Sequence, residues 1–148
     1  MNGDLAEGIS LLRSGSTASR ATGAELWMPY YTALLARACV LAGQIEEAVV
    51  HLNNAFQTAE RTGECWFAAE LHRHKGQLLL REGHPKAAEG LYRQALTIAQ
   101  EQEAKLWELR AATTAQGFAH WGAQGTIYRG WAKAAPSHFS DPACRSPR

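Results

Sequence analysis

The chain has 148 residues with 15 basic and 14 acidic side chains, so its formal net charge is only +1 and gives no electrostatic reason to expect nucleic-acid binding. This length supports one compact domain or roughly three to four helical repeats, and a hydrophobic content of 46% is ordinary for a folded domain. No apolar run approaches the roughly 18 residues of a membrane-spanning helix, so we expect no membrane association either. The three cysteines (Cys39, Cys65 and Cys144) form no CxxC pair, which favours a reduced, cytoplasmic protein without a zinc or redox site.

Hydrophobic residues at helical spacing, separated by glycine and proline, predict a succession of helices. We predict helices over residues 3–23, 26–41, 45–61, 66–81, 85–103 and 106–116. Gly43 and Gly83 follow helix ends, where glycine is the usual cap, and Pro29 and Pro85 stand in first turns, where proline is tolerated. Beyond residue 116 the pattern weakens. We predict a degraded or rearranged helical segment over residues 117–135 and a disordered tail over residues 136–148.

A 40-residue repeat runs through the helical part of the chain. Gly3, Gly43 and Gly83 are 40 residues apart, and Leu12, Leu52 and Tyr92 share one later offset. Self-similarity at a fixed period of this length is typical of a solenoid built from helix pairs. We therefore predict an all-α fold, an antiparallel helix-pair solenoid of about five or six helices over residues 3–116. Its parts are a partial unit at 3–23, units at 24–63 and 64–103, and a partial unit at 104–116.

Tryptophan stands at the start of the first helix of each pair. These residues are Trp27, Trp66 and Trp107. A large aromatic side chain at that position can fill the gap between one repeat and the next. We predict core packing for all three, in preference to stacking on a ligand.

Two units carry the small–large–small pattern by which the chain resembles the tetratricopeptide repeat family. The matching positions are Ala36, Cys39, Gly43, Ala48, Leu52 and Ala55 in one unit and Gly76, Leu79, Gly83, Ala88, Tyr92 and Ala95 in the next. The chain departs from the family in its period, which is 40 residues against about 34 in the standard unit. The resemblance implies paired antiparallel helices and a role in binding other proteins.

Longer strings, such as Glu60-Arg-Thr-Gly-Glu-Cys-Trp66, are similar to the C-terminal repeats of large bacterial signalling proteins. Those proteins join an adenylate/guanylate cyclase domain, or a DNA-binding activator domain, to a STAND-type ATPase and then to such repeats. The chain has neither a phosphate-binding loop of the GxxxxGK type nor paired metal-binding aspartates, so the resemblance implies a non-catalytic interaction module and no enzyme. Because the repeat begins on a second helix without its first, we expect a fragment whose first helix bears an uncovered apolar stripe of Leu5, Ile9 and Leu12.

Candidate catalytic and metal-binding residues are few. Glu70, His72 and His74 invite a metal site, but the two histidines point in nearly opposite directions on a helix, and Glu70 with His74 supplies only two ligands. We interpret this run as a solvated helix face. His51 is interpreted as a lone histidine that is merely tolerated. The prediction is therefore that the chain has no catalytic residue, metal or cofactor.

The resemblance implies a partner-binding groove, because the first helix of each pair lines the concave side of tetratricopeptide arrays. The positions assigned to this groove are Tyr30, Ala33, Arg37 and Val40 in one unit and Glu70, Arg73, Gln77 and Arg81 in the next. The arginines in this set suit an acidic segment of a protein or peptide partner. A plain solvated helix face is the alternative interpretation.

Two other functions stay open at this point. Exposed repeat ends would pair between chains and make a homo-oligomer, with Leu5, Ile9 and Leu12 at one end and Leu106 and Leu109 at the other. A truncated fragment without an independent function is the remaining alternative.

Overall fold

A computed structural model of the chain describes residues 2–122, and the side chains of residues 4–117. The elements are α1 (Asn2–Ala21), α2 (Met28–Leu41), α3 (Ile45–Thr62), α4 (Ala68–Arg81), α5 (Pro85–Glu101) and α6 (Lys105–Gly122). The described residues contain helices and turns but no strand, so the predicted all-α helical-repeat fold is confirmed. Every predicted helix end but one lies within two residues of the observed end.

The exception is the C-terminal end of α6, which we predicted near residue 116 and which lies at Gly122. Glycine ends a helix where it adopts a left-handed conformation, and Gly117 is not among the described glycines with positive φ. A glycine inside a helix costs only about 1 kcal/mol relative to alanine, so α6 passes through it. The rest of the predicted rearranged segment, residues 123–135, and the predicted tail at 136–148 lie outside the described residues.

The turns between helices recur every 20 residues. Gly23, Gly43, Gly63 and Gly83 have φ values of 75°, 79°, 70° and 84°, and Glu103 at the fifth turn has φ 52°. After four of these turns, the next residue donates its amide to the carbonyl five positions earlier, as Gln44 does to Cys39 at 2.9 Å. This bond satisfies a carbonyl that the end of the helix leaves unpaired. The 40-residue repeat of the sequence is therefore two helix-and-turn segments of 20 residues each.

Residues 1–67 form the first of two compact units. Its central feature is the pair α2 and α3, joined by the turn at Gly43. Small side chains fill the interior of the pair, namely Ala33, Ala36, Cys39, Ala48 and Ala55, all of them buried. Leu52 and Leu35 add the larger apolar groups. Small residues at these positions allow the two helices to pack closely along their length.

α1 covers one side of α2 within this unit. Ile9 is only 6% exposed, and Leu5 and Leu12 are half-buried. The prediction of an uncovered stripe on the first helix is therefore wrong, because α2 supplies the apolar neighbour that the stripe needs.

Residues 68–148 form the second unit, of which α4, α5 and α6 are described. One cluster joins Ala68, Ala69, Ile98 and Ala99, with Trp107 packed against it. A second cluster joins Ala88, Tyr92 and Ala115, with Leu79 and Leu80 against it. In this second cluster Gly76 makes room for the Tyr92 ring, since a Cβ at Gly76 would lie 2.6 Å from Tyr92 Cε1.

Candidate partner-binding surfaces

An aromatic cluster marks the start of α2 in the first unit. Its members are Trp27, Tyr30, Tyr31, Trp66 and Phe67. The Trp27 and Trp66 rings are 4.7 Å apart between centroids, and Tyr30 stands edge-on to Phe67 at 4.9 Å. Trp27 is 46% exposed and Tyr31 is 41% exposed, whereas Phe67 is buried. The predicted core role of Trp27 is thus only half correct, because its ring packs against Trp66 while the residue is 46% exposed.

The Glu64 carboxylate bonds the backbone of the exposed Trp27. The Trp27 amide donates to both carboxylate oxygens of Glu64, at 2.9 and 3.1 Å, and the Trp66 indole Nε1 donates to Oε1 at 2.7 Å. Trp27 has φ 67°, a left-handed conformation that costs roughly 1–2 kcal/mol for a residue with a side chain. Charge-assisted bonds to Glu64 offset this cost. Glu64 therefore links the backbone of Trp27 to the indole of Trp66.

Beside this cluster lies a polar cleft of about 500 Å³. It is lined by Arg20, Glu25, Met28, Asn54, Gln57, Thr58 and Arg61. Arg61 forms a two-bond ion pair with Glu25, both N···O distances being 2.7 Å, and its hydrogen bond lowers the pKa of Glu25 below its usual value. No ion partner of the Arg20 side chain occurs among residues 4–117. The cleft thus combines a neutralised arginine with one that is available to an anion.

In the second unit, α4 carries a buried ionic network centred on Glu70, which is 1% exposed. Arg73 donates to both Glu70 oxygens at 2.7 and 2.8 Å, and Arg110 from α6 reaches Glu70 Oε2 at 3.2 Å. His74 Nε2 lies 3.7 Å from the same oxygen. The interpretation of residues 70–74 as a solvated face is wrong, because α6 packs on α4 and brings Arg110 to that face.

Comparison with protein-family models finds a match to part of this chain. Residues 29–101 match the tetratricopeptide repeat model. Residues 29–101 are a tetratricopeptide-like repeat region. Repeats of this family generally mediate protein–protein interaction and are typically non-catalytic.

The tetratricopeptide-like chain also resembles a much longer protein. It is 36% identical over 108 residues, or 72% of its own length, to an uncharacterized protein of Rhizobium meliloti (strain 1021). It spans 10% of the length of that relative. No solved structure matches the chain at a significant level. Within the described residues, none of the helices has the length and apolar character to cross a bilayer.

The residues predicted to line a groove are divided between the two units. In the first unit, Tyr30 is half-buried in the aromatic cluster and Arg37 is exposed. In the second unit, Glu70 and Arg73 are buried and paired with each other, Gln77 is half-buried and Arg81 is exposed. The partner-binding role of these six positions remains a prediction. Burial leaves Glu70 and Arg73 less accessible to a partner than the other four.

Sequence reasoning missed two features of these surfaces. It aligned Trp66 with Trp27, yet the residues four positions after the turns at 23, 63 and 103 are Trp27, Phe67 and Trp107. It also gave no role to Arg110, which lies 40 residues after Glu70. The signal for both was the 20-residue spacing of the turns, which assigns equivalent positions when residues are counted from turn to turn.

Proposed function

We propose that this chain is a cytoplasmic, non-catalytic interaction module of a bacterial signalling protein, and that it recognises a protein or peptide partner through the first helices of its repeats. The family match supports protein binding in general. The side chains on one face of α2 support a surface on this helix.

One face of α2 is a stripe made of Tyr30, Leu34, Arg37 and Leu41, spaced i, i+4, i+7 and i+11. Leu41 is 60% exposed, Arg37 is exposed, and Tyr30 and Leu34 are half-buried. No ion partner of Arg37 occurs among the described side chains. This α2 stripe therefore offers apolar contact and one uncompensated positive charge, which suits a peptide with spaced leucines and acidic residues.

On the equivalent stripe of α4, more side chains are buried or bonded within the protein than on the α2 stripe. Forty residues further along, its members are Glu70, His74, Gln77 and Arg81. Glu70 and His74 are buried in the ionic network, and Gln77 Oε1 lies 3.4 Å from His74 Nδ1. The α2 stripe is for this reason the better candidate for the main recognition surface.

Peptide selection tests the proposal directly. Acidic, leucine-containing peptides would be selected from a displayed library against the full chain, and their affinities measured by fluorescence anisotropy. We expect Arg37→Glu to weaken binding by about tenfold or more, because a charge-assisted contact becomes a repulsion. Arg93→Glu, on the second helix α5, is the matched control and should bind within about twofold of the parent chain. Equal affinities for both variants would exclude the α2 stripe.

Self-association is a second candidate, because α6 exposes two leucines. Leu106 is 60% exposed and Leu109 is 61% exposed. The other predicted end is not available in the same way, since Ile9 is buried. Light scattering over a dilution series would detect a dimer. If the dimer forms through α6, Leu106→Glu with Leu109→Glu should abolish it, while Leu11→Glu, at an equally exposed leucine, should not.

A further inference from the structure

Three metal-ligating side chains meet between α2 and α3. They are Cys39 of α2 and Glu47 and His51 of α3, and one ligand atom from each lies within 4.8 Å of the other two. The turn at Gly43 folds α3 back onto α2, and Glu47 and His51 are four residues apart, so both point toward α2. Cys39 is fully buried, which places the sulfur at the inner end of the cluster.

The histidine of this cluster has an unused nitrogen. His51 Nε2 is shielded from solvent and has no hydrogen-bond partner among the described residues. It lies 3.5 Å from Glu47 Oε1, too far for a good hydrogen bond, but at a separation that two ligands of one ion can have. A buried polar atom without a partner requires a physical explanation. A metal bound by Nε2 would supply one.

Arg13 of α1 already places one positive charge beside this cluster. Its guanidinium pairs with Glu47 and also interacts with Cys39. The Arg13 side chain is 44% exposed, so it can turn toward solvent when another cation arrives. It can equally keep one carboxylate oxygen while the other binds metal, as outer partners of metal-bound carboxylates commonly do.

We propose that Cys39, Glu47 and His51 form a zinc site that joins α2 to α3. Thiolate, imidazole and carboxylate are the ligand types that Zn²⁺ takes in proteins, whereas Mg²⁺ and Ca²⁺ prefer oxygen alone. Three protein ligands leave a fourth position, which water fills. The site lies between α2 and α3, with Cys39 buried and Glu47 and His51 half-buried, and it is independent of the partner proposed for the α2 stripe.

Cobalt titration of the full chain tests the site, because Co²⁺ bound to a thiolate gives a charge-transfer absorption band. We expect one Co²⁺ per chain with this band, loss of the band when Zn²⁺ is added, and a rise of the melting temperature with Zn²⁺. Cys39→Ser should abolish the band, and His51→Gln should weaken Zn²⁺ binding by about 100-fold, at least as much as the loss of an outer partner does. His84→Gln, at an exposed histidine, is the control and should bind as the parent chain does.

Two results of the cobalt titration would overturn the proposal. One is the absence of a thiolate band under saturating Co²⁺, and the other is a band that persists in Cys39→Ser, which would assign it to another cysteine. Because Cys39 is buried, its replacement can disturb the fold, and circular dichroism of each variant checks this. If Cys39→Ser does not fold, His51→Gln still tests the site. Unchanged zinc affinity in a folded His51→Gln chain would equally exclude it.

Discussion

Replacing Gly76 by alanine should destabilise the second unit, although alanine favours helices more than glycine does. The new Cβ would lie 2.6 Å from Tyr92 Cε1, 2.9 Å from Cδ1 and 3.2 Å from the Ala88 carbonyl oxygen. Tyr92 is 1% exposed, and Ala88 contributes backbone, so neither neighbour can move away freely. Overpacking of a core costs about 1–3 kcal/mol, and alanine regains about 1 kcal/mol of helix propensity. With so close an approach, we expect a net loss of about 1–2 kcal/mol.

Gly90→Ala provides the matched control, because Gly90 also lies within a helix but a Cβ there meets nothing within 4 Å. This variant should gain up to about 1 kcal/mol, so the two alanine variants should differ by about 2–3 kcal/mol. Urea unfolding followed by far-ultraviolet circular dichroism measures the difference. In a Tyr92→Leu background, which removes the clashing ring atoms, Gly76→Ala should lose its penalty. A Gly76→Ala chain as stable as Gly90→Ala would refute the reasoning.

Three further predictions follow from strain, charge and burial. Glu103→Gly should stabilise the chain by about 1 kcal/mol, because φ 52° is a left-handed conformation and glycine occupies this position in the other four turns. The control Glu101→Gly, just inside the helix, should not stabilise the chain. Urea unfolding measures both variants. Glu70→Leu should lower the free energy of unfolding by about 3–5 kcal/mol in the same assay, because Arg73 is 5% exposed and would be left without its carboxylate. An unchanged free energy of unfolding would refute the stabilising role of the network. Burial raises the pKa of Tyr92 to about 12, against an ordinary value of 10.0, while Arg73 lowers it in part. The folded state therefore binds this proton more tightly than the unfolded state does, so the contribution to stability is complete below pH 10 and is lost as the pH rises toward 12. Tyr92→Phe should flatten this alkaline loss in thermal melts, and an unchanged alkaline slope would contradict it.

The turns show how far local sequence determines this fold. Gly43 and Gly83 were predicted as helix ends, and both adopt the left-handed conformation that glycine allows without a side-chain penalty. At the fifth turn the same conformation occurs at Glu103, where the sequence has no glycine to signal it. The predicted helix there ran to residue 103, two residues beyond the observed end at Glu101. A turn can thus form against local preference when packing on both sides demands it.

The candidate sites were less accessible to prediction, because they depend on which helix faces meet. Glu70 and His74 have the spacing of an exposed polar face, but α6 packs on α4, and Arg110 of α6 joins Arg73 in pairing with the buried Glu70. Cys39 was interpreted as one position of the repeat pattern, and His51 separately as a tolerated histidine. Their ligand atoms meet because the turn at Gly43 places α3 across α2.

By itself, the sequence determined the helices, most of their ends and the repeat, because helical hydrogen bonds span four residues and four of the five left-handed turns have glycine. The tertiary structure alone decided the burial of Glu70, the exposure of Trp27 and the meeting of Cys39 with Glu47 and His51. These features arise from contacts between helices, whose free energy depends on the side chains that each helix meets and not on its own periodicity.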